Sequence, residues 1–386
     1  MWTLTALFYS VIRPAETHPD VILYAVSSRN YAAAREYAQK YKFTKAYGSY
    51  QEVLDDEAVD IVYVSTPNGM HFEWAAKAME KGKHVLCEKP FTANGEEARK
   101  LVEIAARKGV ILEEAVCFAL GHDDATNSDE LLQFHWQFHP AAHKWHQILD
   151  SKKYGKILHT NAIMTSGSPT PAGDVRYQFH LGGGSAMDLT YALNFTRQAL
   201  HARHPVEIQS VTTRPACQDP RIDEAMFSVL TFRGPEDQLV SSRIYTDMSR
   251  AYVAGAIPRF WELPSIEVEA DGAIVYFYNA LMPHLYHYIS ITEKRTGHTS
   301  YVKQYSGGPL WGNVTTSTGE KGGNSSWSTF RWQLEAFVEA VRGRTPAYWI
   351  PSEESVAQME VIDSCYRAAR LPVRQGSSEL NGKKEE

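Results

Sequence analysis

The sequence predicts a two-part α/β protein: a parallel, doubly wound sheet, then a larger and mostly antiparallel one. Three observations carry this. Over the first 115 or so residues short apolar runs alternate with helical stretches, the pattern of parallel strands joined by crossover helices. Beyond about Lys156 longer β-rich segments succeed one another with few helices between them, as antiparallel pairing requires. A charged pair, Glu88-Lys89, closes one of the early strands, and open α/β sheets bind ligands at that end.

Residues 20–26 read as a strand, and residues 31–41, rich in Ala, Arg, Glu and Lys, as a helix. Residues 50–54 suggest another helical turn, 60–64 a second strand, and Thr66-Pro67-Asn68-Gly69 breaks it. Phe72, Ala75, Ala76 and Met79 give residues 71–81 helical spacing. Gly82 stops that helix, and His84-Val85-Leu86 is a short buried strand. Residues 94–108 are helical and 110–112 form a strand. The later strands fall at 157–164, 207–213, 226–232, 238–245, 265–270 and 273–278. Phe330, Leu334, Phe337 and Val341 share one face of a helix over 329–342, and 351–369 form another. The expected division is a dinucleotide-binding domain over 1–140, a second α/β domain over 141–374 and a disordered polar tail over 375–386.

The 386 residues, 44% apolar, are ample for two or three domains. A net charge of −6 and a pI near 6.2 leave no basic footprint for nucleic acid. Cys87, Cys117, Cys217 and Cys365 are widely spaced without a CxxC, so neither a disulfide framework nor a zinc site is indicated. Residues 2–12 are apolar but lack a basic n-region and a small-residue cleavage site, and they are too short to span a bilayer. The sequence thus reads as a soluble, cytoplasmic protein without a membrane partner. The sequons at Asn194, Asn313 and Asn324 matter only in a secreted chain.

Cys87-Glu88-Lys89-Pro90 is the most informative stretch. A lysine fixed there beside a cofactor crevice could exchange a proton with a substrate hydroxyl; the rival reading is a solvated ion pair. Gly182-Gly183-Gly184 precedes a helix on which Asp188 and Tyr191, three apart, would share a face. Those glycines would admit a ligand or another backbone, or simply form a turn. Ser27-Ser28-Arg29-Asn30 closes the first strand, at the place where an acid contacts the ribose of NAD or an arginine accepts the 2′-phosphate of NADP. The arginine, with no acid present, favours NADP over NAD. His135, His139, His143 and His146 resemble a metal cluster, but no carboxylate or cysteine completes a set, and metal is not expected. Arg176 and Tyr177 are candidate substrate contacts, or exposed loop residues.

Ser65-Thr66-Pro67-Asn68 with His71, Gly82 through Pro90, and Gly182-Gly183-Gly184 with Asp188 together resemble the glucose–fructose oxidoreductase/inositol dehydrogenase (Gfo/Idh/MocA) family. The likeness runs from about Ile12 to Leu371. Through Phe134-His135-Trp136-Gln137-Phe138-His139-Pro140 it is most similar to dimeric dihydrodiol dehydrogenases and NADP-dependent D-xylose 1-dehydrogenases. The resemblance implies a Rossmann domain, a C-terminal domain with a large open sheet, and a homodimer built on that sheet. It implies Lys89, Asp188 and Tyr191 as catalytic residues, and Ser27, Arg29, Thr66, Pro67, Asn68, His71, Glu88 and Lys89 as cofactor contacts. Trp136, His139, Arg176 and Tyr177 would meet the substrate, a sugar such as D-xylose or a cyclic diol.

Three departures accompany the resemblance. The family's opening strand and Gly-rich phosphate turn are missing ahead of Pro19-Asp20-Val21. Ala192 stands where relatives carry a His or Tyr, with Tyr191 one residue early. Residues 117–133 interrupt a junction that would otherwise join Glu114-Ala115-Val116 to Phe134-His135-Trp136. The first and third suggest errors of gene prediction, a wrong first exon and a retained in-frame intron, which a transcript reading through both regions would refute. The sequence therefore supports two functions: an NADP-linked dehydrogenase, or an impaired relative acting as a sugar- or partner-binding protein.

Overall fold

The computed structural model describes residues 8–114, 134–166, 170–171, 173–257, 259 and 261–377. The expected insertion at 117–133 and most of the expected tail lie outside these residues, as does Cys117.

The first unit is parallel throughout. Strand β1 (Ala25–Ser27) pairs with β2 (Lys45–Tyr47), while β3 (Ile61–Val64), β4 (His84–Cys87) and β5 (Leu112–Glu114) form a separate three-stranded sheet. The connecting helices begin where the sequence supplies caps. Asn30 accepts the Ala33 N–H ahead of α1 (Tyr31–Tyr41), and Ser49 and Glu52 form a capping box on α2 (Tyr50–Asp55). Asn94 accepts the Glu97 N–H on α3 (Gly95–Lys108), which ends at Gly109 with φ +65°. The remaining crossover helix is His71–Glu80.

Between β1 and β3 the sheet is interrupted. Their facing edges border a cavity of about 1420 Å³, lined by Leu23, Ala25, Ile61 and Tyr63 with Phe43 and Val338. Among the described residues no strand and no glycine-rich turn precede β1. A strand buried on both faces should be apolar throughout, and Ile61-Val62-Tyr63-Val64 is so composed. Three of its four residues are nonetheless only half-buried.

The second sheet has eight strands, β6 (Ile157–Thr165), β7 (Glu207–Pro215), β8 (Asp223–Arg233), β9 (Leu239–Asp247), β10 (Ser265–Ala270), β11 (Ala273–Tyr278), β12 (Tyr288–Glu293) and β13 (Thr299–Val302). Their order is 13-12-11-10-6-9-8-7, antiparallel except where β6 meets β9. The sequence reading found six of these strands and missed β12 and β13, which are short and whose alternation is diluted by Ser, Thr and Glu. On one face Val275, Phe277, Ile289 and Ile291 are buried in the core. On the other, Tyr276, Tyr278, Tyr288 and Tyr301 form a ladder of ring contacts, with Tyr301 67% exposed.

Two C-terminal helices return to the first unit. Leu334 and Val338 of α10 (Thr329–Val341) cluster with Ala15, and Phe337 of the same helix packs on Leu86 of β4. A second helix, Ser352–Ala368, packs against Gly95–Lys108. No helix among the described residues is long and apolar enough to cross a membrane.

Of the four histidines read as a cluster, His135, His139 and His143 are core residues. His135 and His139 are fully buried, His143 nearly so, and they lie near His284 and His287. Burial holds His135 and His139 well below the usual histidine range, and His143, His284 and His287 at about 3, 3 and 4. The unfolded chain, with histidines near 6.5, therefore binds more protons than the native chain below that pH. This stabilisation is complete above about pH 6.5 and is lost progressively as the pH falls through 6 and 5 towards 4. Melting temperatures across pH 8 to 4.5 should show a steep decline starting near pH 6.5; a flat profile to pH 5 would contradict the burial of these rings.

Candidate active site

Lys89 leaves the carboxyl end of β4 on a peptide that is cis to Pro90, and it is buried. Its Nζ donates to Asp188 twice, to Oδ1 at 2.5 Å and to the backbone oxygen at 3.0 Å. Arg176 Nε donates to the other oxygen of Asp188 at 2.8 Å, and its guanidinium also pairs with Asp174 at 3.2 Å. One carboxylate is thus held between two cations. Burial alone would raise the Asp188 pKa, but Arg176 and Lys89 outweigh it and leave the carboxyl below the usual range. The solvated Glu88-Lys89 pair considered from sequence is not formed, since both residues are buried, Glu88 accepts from Tyr63, and the Lys89 ammonium is held by Asp188.

The loops around Lys89 are fixed from several sides. His71, fully buried, places its ring nitrogens 2.9 Å from the Pro90 oxygen and 2.7 Å from the Thr66 oxygen. It is a strut between the loops after β3 and β4, not a wall of the cavity. Burial first, and the charge of Lys89, lower it to about 4, so the neutral ring donates to one carbonyl only. Glu88 is buried and accepts from the Tyr63 hydroxyl and the Lys89 N–H. Asn68 reaches the Gly182 oxygen at 3.5 Å, and Gly69 packs so closely on His180 that a Cβ there would lie 2.5 Å from its backbone oxygen.

The glycine run is shaped by the protein itself. A Cβ on Gly183 would lie 2.3 Å from the Arg176 oxygen; one on Gly184, with φ +135°, would lie 2.2 Å from Asp223 Oδ1. Asp223 accepts from Ser185 Oγ, the Ala186 N–H, Tyr366 Oη and Arg374, while Arg374 Nε also donates to the Gly183 oxygen at 2.6 Å. The expected single helix breaks after Asp188: a short turn of helix over Ser185–Asp188 ends, and α8 (Tyr191–Ala199) starts afresh. Asp188 and Tyr191 therefore share no helical face. Tyr191 is fully buried, and burial with the nearby Glu88, Glu114 and Asp188 charges pushes its phenol well above the ordinary value.

Two expected substrate contacts lie elsewhere. Trp136 is fully buried among Trp145, Phe195 and Phe277 and donates its Nε1–H to Asn194 at 3.0 Å. His139 is a fully buried helix cap whose Nδ1 accepts the Ala141 N–H. Arg176 does reach the site, and the neighbouring Tyr177 is buried with its hydroxyl on Glu224 at 3.3 Å. The sequence reading missed Glu114, which accepts from the Phe91 N–H at 3.0 Å and Ser355 Oγ at 2.5 Å and is raised by burial to about 7. Two acids closing an apolar strand beside Lys89 were the available signal.

At the cofactor end, Ser27, Ser28 and Thr66 line the cavity; among the described residues Thr66 Oγ1 is buried without a partner, and the exposed Arg29 makes no ion pair. Residues 6–116 match the model of an oxidoreductase family with an NAD-binding Rossmann fold.

Over those residues the chain is similar to the Gfo/Idh/MocA oxidoreductase family.

It is 28% identical over 348 residues to an NADP-dependent D-xylose 1-dehydrogenase of Haloferax volcanii, covering 89% of each chain. A trans-1,2-dihydrobenzene-1,2-diol dehydrogenase of Danio rerio is 33% identical over 223 residues, 57% of this chain and 59% of that protein. Among solved structures, a 3-ketoreductase from Actinomadura kijaniata in complex with NADP and TDP-benzene superposes with a TM-score of 0.71 at 22% identity, covering 93% of each chain. That likeness shows the fold. These likenesses are all to oxidoreductases, and over residues 6–116 to an NAD-binding Rossmann fold.

The Asp223 network gives a direct test of how the site is held. Asp223→Ala leaves Arg374 buried and uncompensated and should cost about 3–5 kcal/mol in urea unfolding. A loss below about 1 kcal/mol would mean that the glycine run is held otherwise.

Proposed function

We propose that the protein is an NADP-dependent dehydrogenase of a secondary hydroxyl, on a D-xylose-like sugar or a cyclic diol. One observation carries the reading: Lys89 Nζ, at the carboxyl end of β4, held on Asp188 across the two units of the chain. Bound dinucleotide would supply the nicotinamide ring that accepts or returns the hydride. The proton is the task of this chain's own residues. In the reducing direction the Lys89 ammonium gives a proton to the developing alkoxide; in the oxidising direction the amine takes it from the hydroxyl. Asp188 orients Lys89, and Arg176 keeps that carboxylate ionised. Tyr191, protonated at neutral pH, can act as a hydrogen-bond donor but not as a base. Arg176 and Tyr177 remain the residues assigned to the substrate.

NADP is preferred because Arg29 stands exposed beside Ser27 and Ser28 with no acidic residue among Ser27-Ser28-Arg29-Asn30. Thr66, with its unpartnered hydroxyl, and Asn68 fit contacts further along the dinucleotide, whose pyrophosphate finds no glycine-rich turn among the described residues. The tyrosine ladder on the open face of the eight-stranded sheet suits burial against a second copy, in a cytoplasmic homodimer. A second reading, a sugar- or partner-binding protein without turnover, draws on the interrupted sheet alone.

Nicotinamide absorbance during incubation with a panel of pentoses and cyclic diols separates the two readings; absence of any change with NADP, together with retained sugar binding, favours the second. Lys89→Met should lower kcat by about 100- to 10,000-fold, a loss far larger than any in NADPH affinity, as single-turnover rates beside a fluorescence titration would show. Arg29→Ala should weaken NADPH by about tenfold or more and leave NADH unaffected, as fluorescence titration would show.

A further inference from the structure

His146, at the end of the run of histidines, stands apart from the other three. His135, His139 and His143 lie in the core, whereas His146 lies on the face of the helix Pro140–Asp150 that carries Asp150 one turn later. His201, just beyond α8, approaches from the other side. Its Nε2 lies 2.8 Å from Asp150 Oδ1, and its ring centroid is 5.5 Å from that of His146. Donor atoms of these three residues all fall within 4.8 Å of one another.

We propose that His146, Asp150 and His201 form a binding site for a divalent transition-metal ion of the zinc class. Two imidazoles and one carboxylate are a donor set for Zn²⁺, Co²⁺ or Ni²⁺, and they lack the oxygen ligands that Ca²⁺ and Mg²⁺ require. At metal–ligand bonds of about 2.1 Å, tetrahedral donors sit about 3.4 Å apart, so the site closes by side-chain rotation with the helices in place. The buried Nδ1 of His146 has no hydrogen-bond partner, which leaves a polar atom unsatisfied until something reaches that ring. Stacking on Trp136 and contact with Trp145 fix the ring.

Two further features favour a cation. The helices Pro140–Asp150 and Tyr191–Ala199 both end here, and their carboxyl ends direct negative potential at the site. His201 adopts φ +48°, uncommon for a residue with a side chain, in the turn that presents its ring to Asp150. Asp150 and His201 are each about half exposed, with side-chain exposures of 49% and 47%, so an ion can enter from solvent and keep a water as fourth ligand. The amino-terminal ends of the same helices carry His139 and Tyr191. An ion would therefore staple the ends of two helices, one of which starts at Tyr191, as a structural site distinct from Lys89.

Isothermal titration of metal-free protein with Zn²⁺ should show one saturable site and a raised melting temperature. Co²⁺ should give the intense visible bands of a tetrahedral nitrogen–oxygen site. His201→Gln and Asp150→Asn, both at partly exposed positions, should each weaken Zn²⁺ binding at least tenfold while melting as the metal-free parent does. Turnover in His201→Gln should persist without metal, so this proposal and the dehydrogenase reading fail independently. Absence of saturable binding would overturn it. So would equal binding by both variants and the parent, which would mark an adventitious ion only.

Discussion

The buried ion pair between Lys89 and Asp188 is the constraint around which the molecule is arranged. It joins the end of a parallel strand in the first unit to a short turn in the second. Removing two charges from water costs several kcal/mol for each ion, and the structure offsets this by giving each two partners. Lys89 has a carboxylate and a backbone oxygen; Asp188 has the lysine and a guanidinium, itself held by Asp174. An ammonium placed this way is desolvated and held in one orientation by the protein itself.

The supports behind that pair are equally polar and equally buried. Asp223 and Arg374, both fully buried, lock the glycine run from which Asp188 projects. His71 and Glu114 tie the loop on the Lys89 side through backbone atoms of Pro90 and Phe91. Such networks are costly when half satisfied and rigid when complete. The glycines serve this rigidity: they admit Asp223 and Arg374 at distances that no Cβ would permit. Of the approaches expected there, a ligand or another backbone, the structure shows the backbone, with the Arg176 oxygen packed on Gly183.

The interrupted sheet is the opposite case. Two parallel pieces face each other across a cavity with apolar strand residues only partly covered. Parallel strands usually lie buried on both faces, and here the first unit departs from that rule while the eight-stranded sheet obeys its own. The return of α10 onto the first unit covers part of the exposed surface, with Val338 reaching the cavity wall.

The amino-acid sequence alone determined the alternation of strands and helices and the change to antiparallel pairing, and it singled out Lys89 and Asp188 as separate residues of interest. Those signals are local: hydrophobic period and a charge at a strand end. Tertiary structure alone decided which residues surround that pair. Trp136 and His139 carry the composition of a binding motif yet pack into the core, because their neighbours Phe195, Phe277 and His287 come from distant segments. Glu114 stands beside the site because β5 pairs with β4. Asp150 and His201 meet His146 because two helix ends converge, 51 residues apart in the chain. Periodicity reports which face of an element is apolar; it carries no record of which other element will cover it.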